Sequence, residues 1–320
     1  MASNPIPSSQ ETPKAAGQTA AATLRQQLRQ TGKIVMAPGV YDGLSARLAL
    51  NEDFNCLYMT GAGTAASRLG MPDLGCATMD DMLANASMIA SLDPRIPLIA
   101  DADTGYGGPL MVARTVRGYI RAGIAGLHIE DQVVTKRCGH LANKELVDET
   151  VFLSRIRAAV MAREELRALS EGVQDIVIIA RTDSLESLGY EAAIARLQKA
   201  IDIGADVAFL EGMTTRDQCR NVCRDLAPTP VLLNMVVGGI TPYLSAKEAN
   251  DLGFRIIIFP AAALGPVFEH VAQAMKNLKS GAIQKPPGNR GVREHFMLLG
   301  LKECMDFDAA AGGVSFTRGA

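Results

Sequence analysis

A strand-like stretch, Gly126-Leu127-His128-Ile129-Glu130, runs into Asp131-Gln132 and then into Lys136-Arg137-Cys138-Gly139-His140. It sets a carboxylate suited to a metal, Glu130, upstream of a cysteine flanked by Lys136, Arg137 and His140. Cationic neighbours favour the thiolate, so this pattern predicts a Cys138 of lowered pKa that exchanges protons near neutral pH. Such chemistry needs a rigid frame that carries the thiol and the acids to one place.

The frame is legible as short apolar runs, each ending in small or polar residues and most leading into a helical pattern. In order they are Ile34 to Pro38, Cys56 to Thr60, Pro97 to Ala100, Gly126 to Ile129, Ile176 to Ala180, Val207 to Leu210, Val231 to Leu233 and Arg255 to Phe259. Between them lie amphipathic stretches, for example Ile194, Leu197 and Ile201, closed by Gly204 as a C-cap. Alternating β and α units imply a parallel sheet, and this many units favour closure into a (β/α)8 barrel of TIM type over an open doubly wound sheet. Leu264 to Leu278 continues as a helix, Ser280 to Gly291 as a Gly/Pro-rich linker and Val292 to Ala310 as a further helix. That last helix lies outside the barrel's own complement and needs another surface for Phe296, Leu298, Leu299 and Leu301, such as a neighbouring subunit. The expected divisions are a disordered tail over 1–23, a catalytic barrel over 24–280 and a linker with an oligomerisation helix over 281–320.

Active sites of such barrels lie at the C-terminal ends of the strands. Polar residues cluster there: Tyr41-Asp42, Tyr58 with Thr60-Gly61-Ala62-Gly63, Asp101-Ala102-Asp103, Glu130-Asp131, Arg181-Thr182-Asp183, Glu211, Asn234 and Pro260. Asp101, Asp103 and Glu130 at adjacent strand ends would repel one another unless a cation lay between them, and hard oxygen ligands with room for water point to Mg²⁺ or Mn²⁺. Taken singly, Asp103 has an alternative as a turn cap and Asp101 as a partner of Arg181. Arg181 suits bidentate capture of a substrate carboxylate, with an ion pair to an acid as its alternative. Amides of the Thr60-Gly61-Ala62 turn can approach a carboxylate closely because small residues leave room. His140 shares a loop with Cys138, whereas His128, mid-strand, fits a satisfied core residue.

Composition narrows the function classes. With 320 residues, 48% hydrophobic, and a net charge of -2, the chain can bury a large core and has no global pull toward nucleic acid or a membrane. Six cysteines without paired spacing fit a reducing compartment, and Cys219 and Cys223 fit small buried side chains. The first residues carry Lys14 and Glu11 as their only charges apart from the terminus, unlike an Arg-rich transit peptide, which favours a cytoplasmic location.

The Lys136-to-His140 run, the Asp101-to-Gly107 segment and the Met71-Pro72-Asp73-Leu74-Gly75 turn together resemble the isocitrate lyase/phosphoenolpyruvate mutase superfamily from about Leu24 onward. Mutase members lack the cysteine, so the resemblance implies a carbon–carbon lyase acting on a 2-hydroxy or 2-oxo di- or tricarboxylate. It implies Mg²⁺ bound directly by Asp101, with Asp73, Asp103 and Glu130 holding its water, and Cys138 as the acid. Tyr58 or a water on the metal would be the base, and Arg181, Glu211 and Asn234 would grip substrate carboxylates beside Thr60, Gly61, Ala62 and Gly139. It also implies a homotetramer that exchanges the C-terminal helix. Because the cysteine must reach a site that also has to exclude water, the loop from Gln132 to Asn143 is expected to close over bound substrate. The short chain resembles the branch that cleaves 2,3-dimethylmalate, 2-methylisocitrate or oxaloacetate. In the oxaloacetate-hydrolysing members a serine stands where this chain has Pro260, which favours a pyruvate-forming lyase over an oxaloacetate hydrolase giving oxalate and acetate. The apolar stretch after Asn234 favours the smaller methylated acid over a tricarboxylate. A barrel that has lost turnover is a further alternative, against which the intact acids and Cys138 speak.

Overall fold

The structure, a computed structural model, describes residues 18–282 and 291–315. Eight parallel strands, β1 (Val35–Val40), β2 (Leu57–Met59), β3 (Leu98–Asp101), β4 (Gly126–Glu130), β5 (Val177–Thr182), β6 (Val207–Leu210), β7 (Val231–Asn234) and β8 (Ile256–Phe259), close in chain order into a barrel. Closure is made by β1 on β8, with Val35 opposite Ile256 and Pro38 opposite Phe259. The predicted (β/α)8 barrel is therefore the observed one. Several strands end one or two residues later than their apolar runs, because Asp101, Glu130, Arg181 and Asn234 still pair in the ladder although their side chains are polar.

Alternation along the strands divides the core in two. Ile99, Ile179 and Phe209 point into the barrel, while Ala100, Ile178, Ala180 and Leu210 face the surrounding helices. The inner cluster is closed at its N-terminal end by a helix, Ala20–Arg29, that overlaps the segment expected to be disordered. Thr19 caps it by accepting the Ala22 N–H, fully buried Leu24 plugs the barrel floor, and Arg25 binds Asp175 at 2.6 Å and Asp206 at 2.7 Å. Burying Leu24 contributes about 2 kcal/mol, so residues 18–23 belong to the fold; the rest of the expected tail, Met1 to Gly17, lies outside the described residues.

The helix Leu264–Lys279 follows β8 as expected, and most of the predicted linker, 283–290, lies outside the described residues. The last predicted helix is in fact two, Val292–Leu298 and Leu301–Ala310, separated where Gly300 adopts a left-handed φ of 88°. The first of them rests on its own chain, with Asn51 Nδ2 donating to the Leu298 carbonyl at 2.9 Å. Phe268, Met275, Phe296 and Phe307 on these helices are all exposed. Among the described residues no helix is long and apolar enough to cross a membrane.

Candidate active site

At the C-terminal mouth of the barrel a cavity of about 210 Å³ is lined by Tyr58, Thr60, Ala62, Asp73, Asp101, Cys138, Gly139, His140, Arg181, Glu211, Asn234 and Pro260. All of these are among the site residues expected from sequence; Val236, Ala261 and Leu264, which complete the lining, are not. Gly61, Asp103 and Glu130 stand behind this wall. Asp42 does not join them: it caps the helix Gly43–Asn51, accepting the Ser45 N–H at 2.7 Å.

Asp101, at the end of β3, accepts the Asp103 N–H at 2.8 Å and the Gly61 N–H at 3.2 Å. A Cβ at Gly61 would lie 2.4 Å from Asp101 Oδ2, so the close approach of that amide depends on glycine. Lys136 Nζ, from the cysteine loop, lies 2.8 Å from both Asp73 Oδ1 and Asp103 Oδ1. Glu130 is fully buried, faces Arg181 Nη1 at 3.2 Å and, among the described residues, has no hydrogen-bond partner on either oxygen. The expected cation among these acids is a metal, with Arg181 on Asp101 as the alternative; the fold places Lys136 on Asp73 and Asp103, and Arg181 on Glu130.

Two protein cations do not balance four acids. Burial raises the pKa values of Asp101 and Glu130 and pushes Asp103 up to about 6, against the pull of Lys136, so burial disfavours full ionisation of the bare cluster. Among the described residues no three His, Cys, Asp or Glu side chains are arranged to hold an ion directly. The donor set fits instead a hard divalent cation that keeps much of its water, with one carboxylate in contact and the partnerless Glu130 oxygens accepting from that water.

Arg181, at the end of β5, is clamped by Asp183, Nε to Oδ2 at 2.9 Å and Nη2 to Oδ1 at 3.1 Å, and its guanidinium stacks over Phe209. It also faces Glu211 Oε2 at 3.6 Å. Asp183 is fixed in turn by Asp131, whose Oδ1 accepts its N–H at 2.9 Å while Oδ2 accepts the Thr182 hydroxyl. The expected alternative of an Asp101–Arg181 pair is not what forms. Asn234 Nδ2 donates to Glu211 Oε2 at 2.8 Å, and His140 Nε2 lies 3.6 Å from Glu211 Oε1 while its Nδ1 accepts the Ile240 N–H at 3.4 Å. His140 thus sits with the carboxylate-gripping side chains.

The loop that carries Cys138 is pinned over the cavity. Cys138 N–H donates to the Asp73 carbonyl at 3.1 Å, and Gly139 is so close beneath that a Cβ there would lie 2.4 Å from Arg181 Nη2. The expectation of a thiolate is corrected: burial raises the Cys138 pKa, opposed by a backbone hydrogen bond from His140. The flanking cations act elsewhere, Lys136 on carboxylates and Arg137 on the Ala142 carbonyl. A neutral thiol suits a proton donor.

Tyr58 is corrected as well. Burial first, and the Asp101 charge second, raise its pKa well above the ordinary phenol value, so it stays protonated and is unsuited to act as a base. Its Oη lies 2.9 Å from Nε2 of His128, which is not the satisfied core residue expected, since Nδ1 has no partner among the described residues. Burial, with Arg181 and Lys136 nearby, lowers the His128 pKa and keeps the ring neutral. Lys136, Asp183 and His128 are the site residues whose roles the sequence concealed; only the place of Lys136 beside Cys138 hinted at one.

The family profile described as phosphoenolpyruvate phosphomutase matches residues 24–279. A 2,3-dimethylmalate lyase of Eubacterium barkeri is 39% identical over 244 residues, spanning 76% of this chain and 81% of that protein. A crystal structure of a 2,3-dimethylmalate lyase superposes with a TM-score of 0.90 at 55% identity, covering 94% of this chain and 98% of the other. An oxaloacetate acetylhydrolase in complex with 3,3-difluorooxalacetate superposes at 0.89 with 51% identity, covering 93% and 99%. The chain belongs to the phosphoenolpyruvate mutase/isocitrate lyase superfamily and is a lyase of it.

Proposed function

We propose that the protein cleaves the bond between C2 and C3 of a 2-hydroxy dicarboxylate of the 2,3-dimethylmalate type, giving pyruvate and a monocarboxylate. The observation that carries this reading is the cavity wall. Arg181 is the one permanent cation lining it among the described residues, and the same lining includes Ala62, Val236, Pro260, Ala261 and Leu264. A dicarboxylate with methyl branches matches such a wall, whereas the third carboxylate of 2-methylisocitrate would meet Glu211 or apolar carbon.

Bound Mg²⁺, or Mn²⁺, would be held by Asp101 directly and by Asp73, Asp103 and Glu130 through water, and would supply Lewis acidity at the 2-hydroxyl and its neighbouring carboxylate. Arg181, oriented by Asp183, takes a substrate carboxylate, with Asn234 and His140 beside it. As C2–C3 breaks, the 2-hydroxyl proton passes to water held among the Asp73, Asp103 and Glu130 carboxylates, the electron pair of the bond goes to C3, and the hydroxyl-bearing carbon becomes the keto carbon of pyruvate. The C3 carbanion, stabilised by its carboxylate, takes the proton of the neutral Cys138 thiol from the loop side. The loop, seated over the mouth, excludes water from that carbanion.

Hydrolysis of oxaloacetate is disfavoured because Pro260 brings no hydroxyl to the cavity. We also infer the homotetramer that the family resemblance implies; the apolar stripe exposed by Val267, Phe268, Val271 and Met275 on Leu264–Lys279, with Phe296 and Phe307 beyond it, supports burial against another subunit. The test of the reading is pyruvate release from 2,3-dimethylmalate: it should stop on chelation and in Cys138→Ser, and release that ignores both would refute it.

A further inference from the structure

The Tyr58–His128 pair leaves one question that the surrounding atoms answer: which side of the 2.9 Å contact supplies the proton. His128 is fully buried inside the barrel, its ring stacked on Tyr58 at 5.8 Å between centroids and edge-on to Phe209 at 5.6 Å. Its Nδ1 has no hydrogen-bond partner among the described residues. A proton on Nδ1 would therefore be a buried donor with nothing to receive it, among the rarest arrangements in folded proteins. Nε2, by contrast, has Tyr58 Oη at 2.9 Å, an oxygen able to accept its N–H, so a proton on Nε2 is the one that finds a protein acceptor.

We infer that His128 is the Nε2–H tautomer and donates to Tyr58 Oη, which directs the Tyr58 hydroxyl proton into the cavity as a donor to a substrate oxygen. Oη has no other protein partner among the described residues, and Tyr58 lines the cavity, so the hydroxyl proton is free to serve an incoming ligand. This deepens the lyase reading and rests on it for the identity of that oxygen: the 2-oxygen, which carries negative charge as its proton leaves. Tyr58 is then an electrostatic stabiliser of that oxygen, with His128 a positioning residue that sets the direction of its O–H. The opposite tautomer would turn the Tyr58 lone pairs to the substrate and make it an acceptor.

Neutron crystallography of the perdeuterated full chain reads this directly and does not depend on turnover. The inference predicts deuterium on His128 Nε2 and a Tyr58 O–D pointing away from the ring into the cavity. Deuterium on Nδ1, with the Tyr58 O–D pointing at Nε2, would overturn it. In solution, with Mg²⁺ and oxalate as the probe, Tyr58→Phe should weaken oxalate binding roughly tenfold or more, the effect of losing a hydrogen bond to a charged group. His128→Gln, whose amide keeps an N–H donor, should stay within about threefold of the parent. Unchanged oxalate affinity in Tyr58→Phe contradicts the donor role. If the neutron result holds and none of the candidate acids is cleaved, the lyase substrate is misassigned while the tautomer stands.

Discussion

Lys136 Nζ stands 2.8 Å from Asp103 Oδ1, so the loop that brings the thiol also brings the counter-ion of the acid cluster. Its side chain is 1% exposed and makes the same contact with Asp73. The pair ties the position of Cys138 to the charge state of the acids. Lys136→Met should therefore destabilise the metal-free protein by about 3 kcal/mol or more, because two buried carboxylates lose their protein cation. Added Mg²⁺ should recover part of that loss, giving a larger rise in melting temperature than in the parent. Equal rises in both proteins would show that Lys136 does not share charge compensation with the metal.

Proton uptake gives a second expectation. Burial pushes Asp103 up to about 6 and raises Asp101 and Glu130, so these carboxyls stabilise the metal-free fold while protonated. That contribution is present at low pH and fades as pH rises through the folded values. Mg²⁺ requires the ionised forms, so its affinity should rise with pH through about 6 and its binding should release protons. Calorimetric titrations in buffers of different ionisation enthalpy measure that release; a value of zero near pH 6 would contradict the assignment.

Cys138→Ser should keep the fold and the affinity for Mg²⁺ while lowering turnover about 10³-fold or more, since a hydroxyl is a far weaker acid than a thiol. Because burial raises the thiol's pKa, the parent's activity should persist through neutral pH and decline only beyond an ordinary thiol's range. A serine variant with normal turnover would remove Cys138 from the mechanism.

Gly139→Ala introduces a Cβ that would lie 2.4 Å from Arg181 Nη2 and 2.7 Å from Glu211 Cγ. The loop must lift or Arg181 must leave its Asp183 clamp. Turnover should fall at least about tenfold while the melting temperature stays near the parent's, since the loop sits on the core and is not part of it. A variant with full activity would mean that the loop does not hold this position during catalysis.

The barrel was legible because its strands are apolar runs with helical patterns between them, and periodicity carries that information. Tyr58, Thr60, Asp101, Arg181, Glu211, Asn234 and Pro260 were legible because each sits at or just past the end of a run, and Cys138 to His140 because of the charged run around the cysteine. The thiol's protonation was not: adjacent cations in sequence predict a thiolate, yet Lys136 spends its charge on Asp73 and Asp103. The roles of Asp183 and His128 depend on side chains from different strands meeting inside the barrel, which spacing along the chain does not encode. The helix Ala20–Arg29 was missed in part because the Ala, Thr and Gln composition before Leu24 resembles a tail, and only the barrel floor gives it something to bury against.

The most direct test supplies the purified protein with Mg²⁺ and, separately, 2,3-dimethylmalate, 2-methylisocitrate and oxaloacetate, following pyruvate by a coupled reductase and oxalate by chromatography. The account predicts pyruvate, with the highest kcat/KM for 2,3-dimethylmalate, and no oxalate. Oxalate and acetate from oxaloacetate as the main products would contradict it and would mean that Pro260 does not exclude hydrolysis.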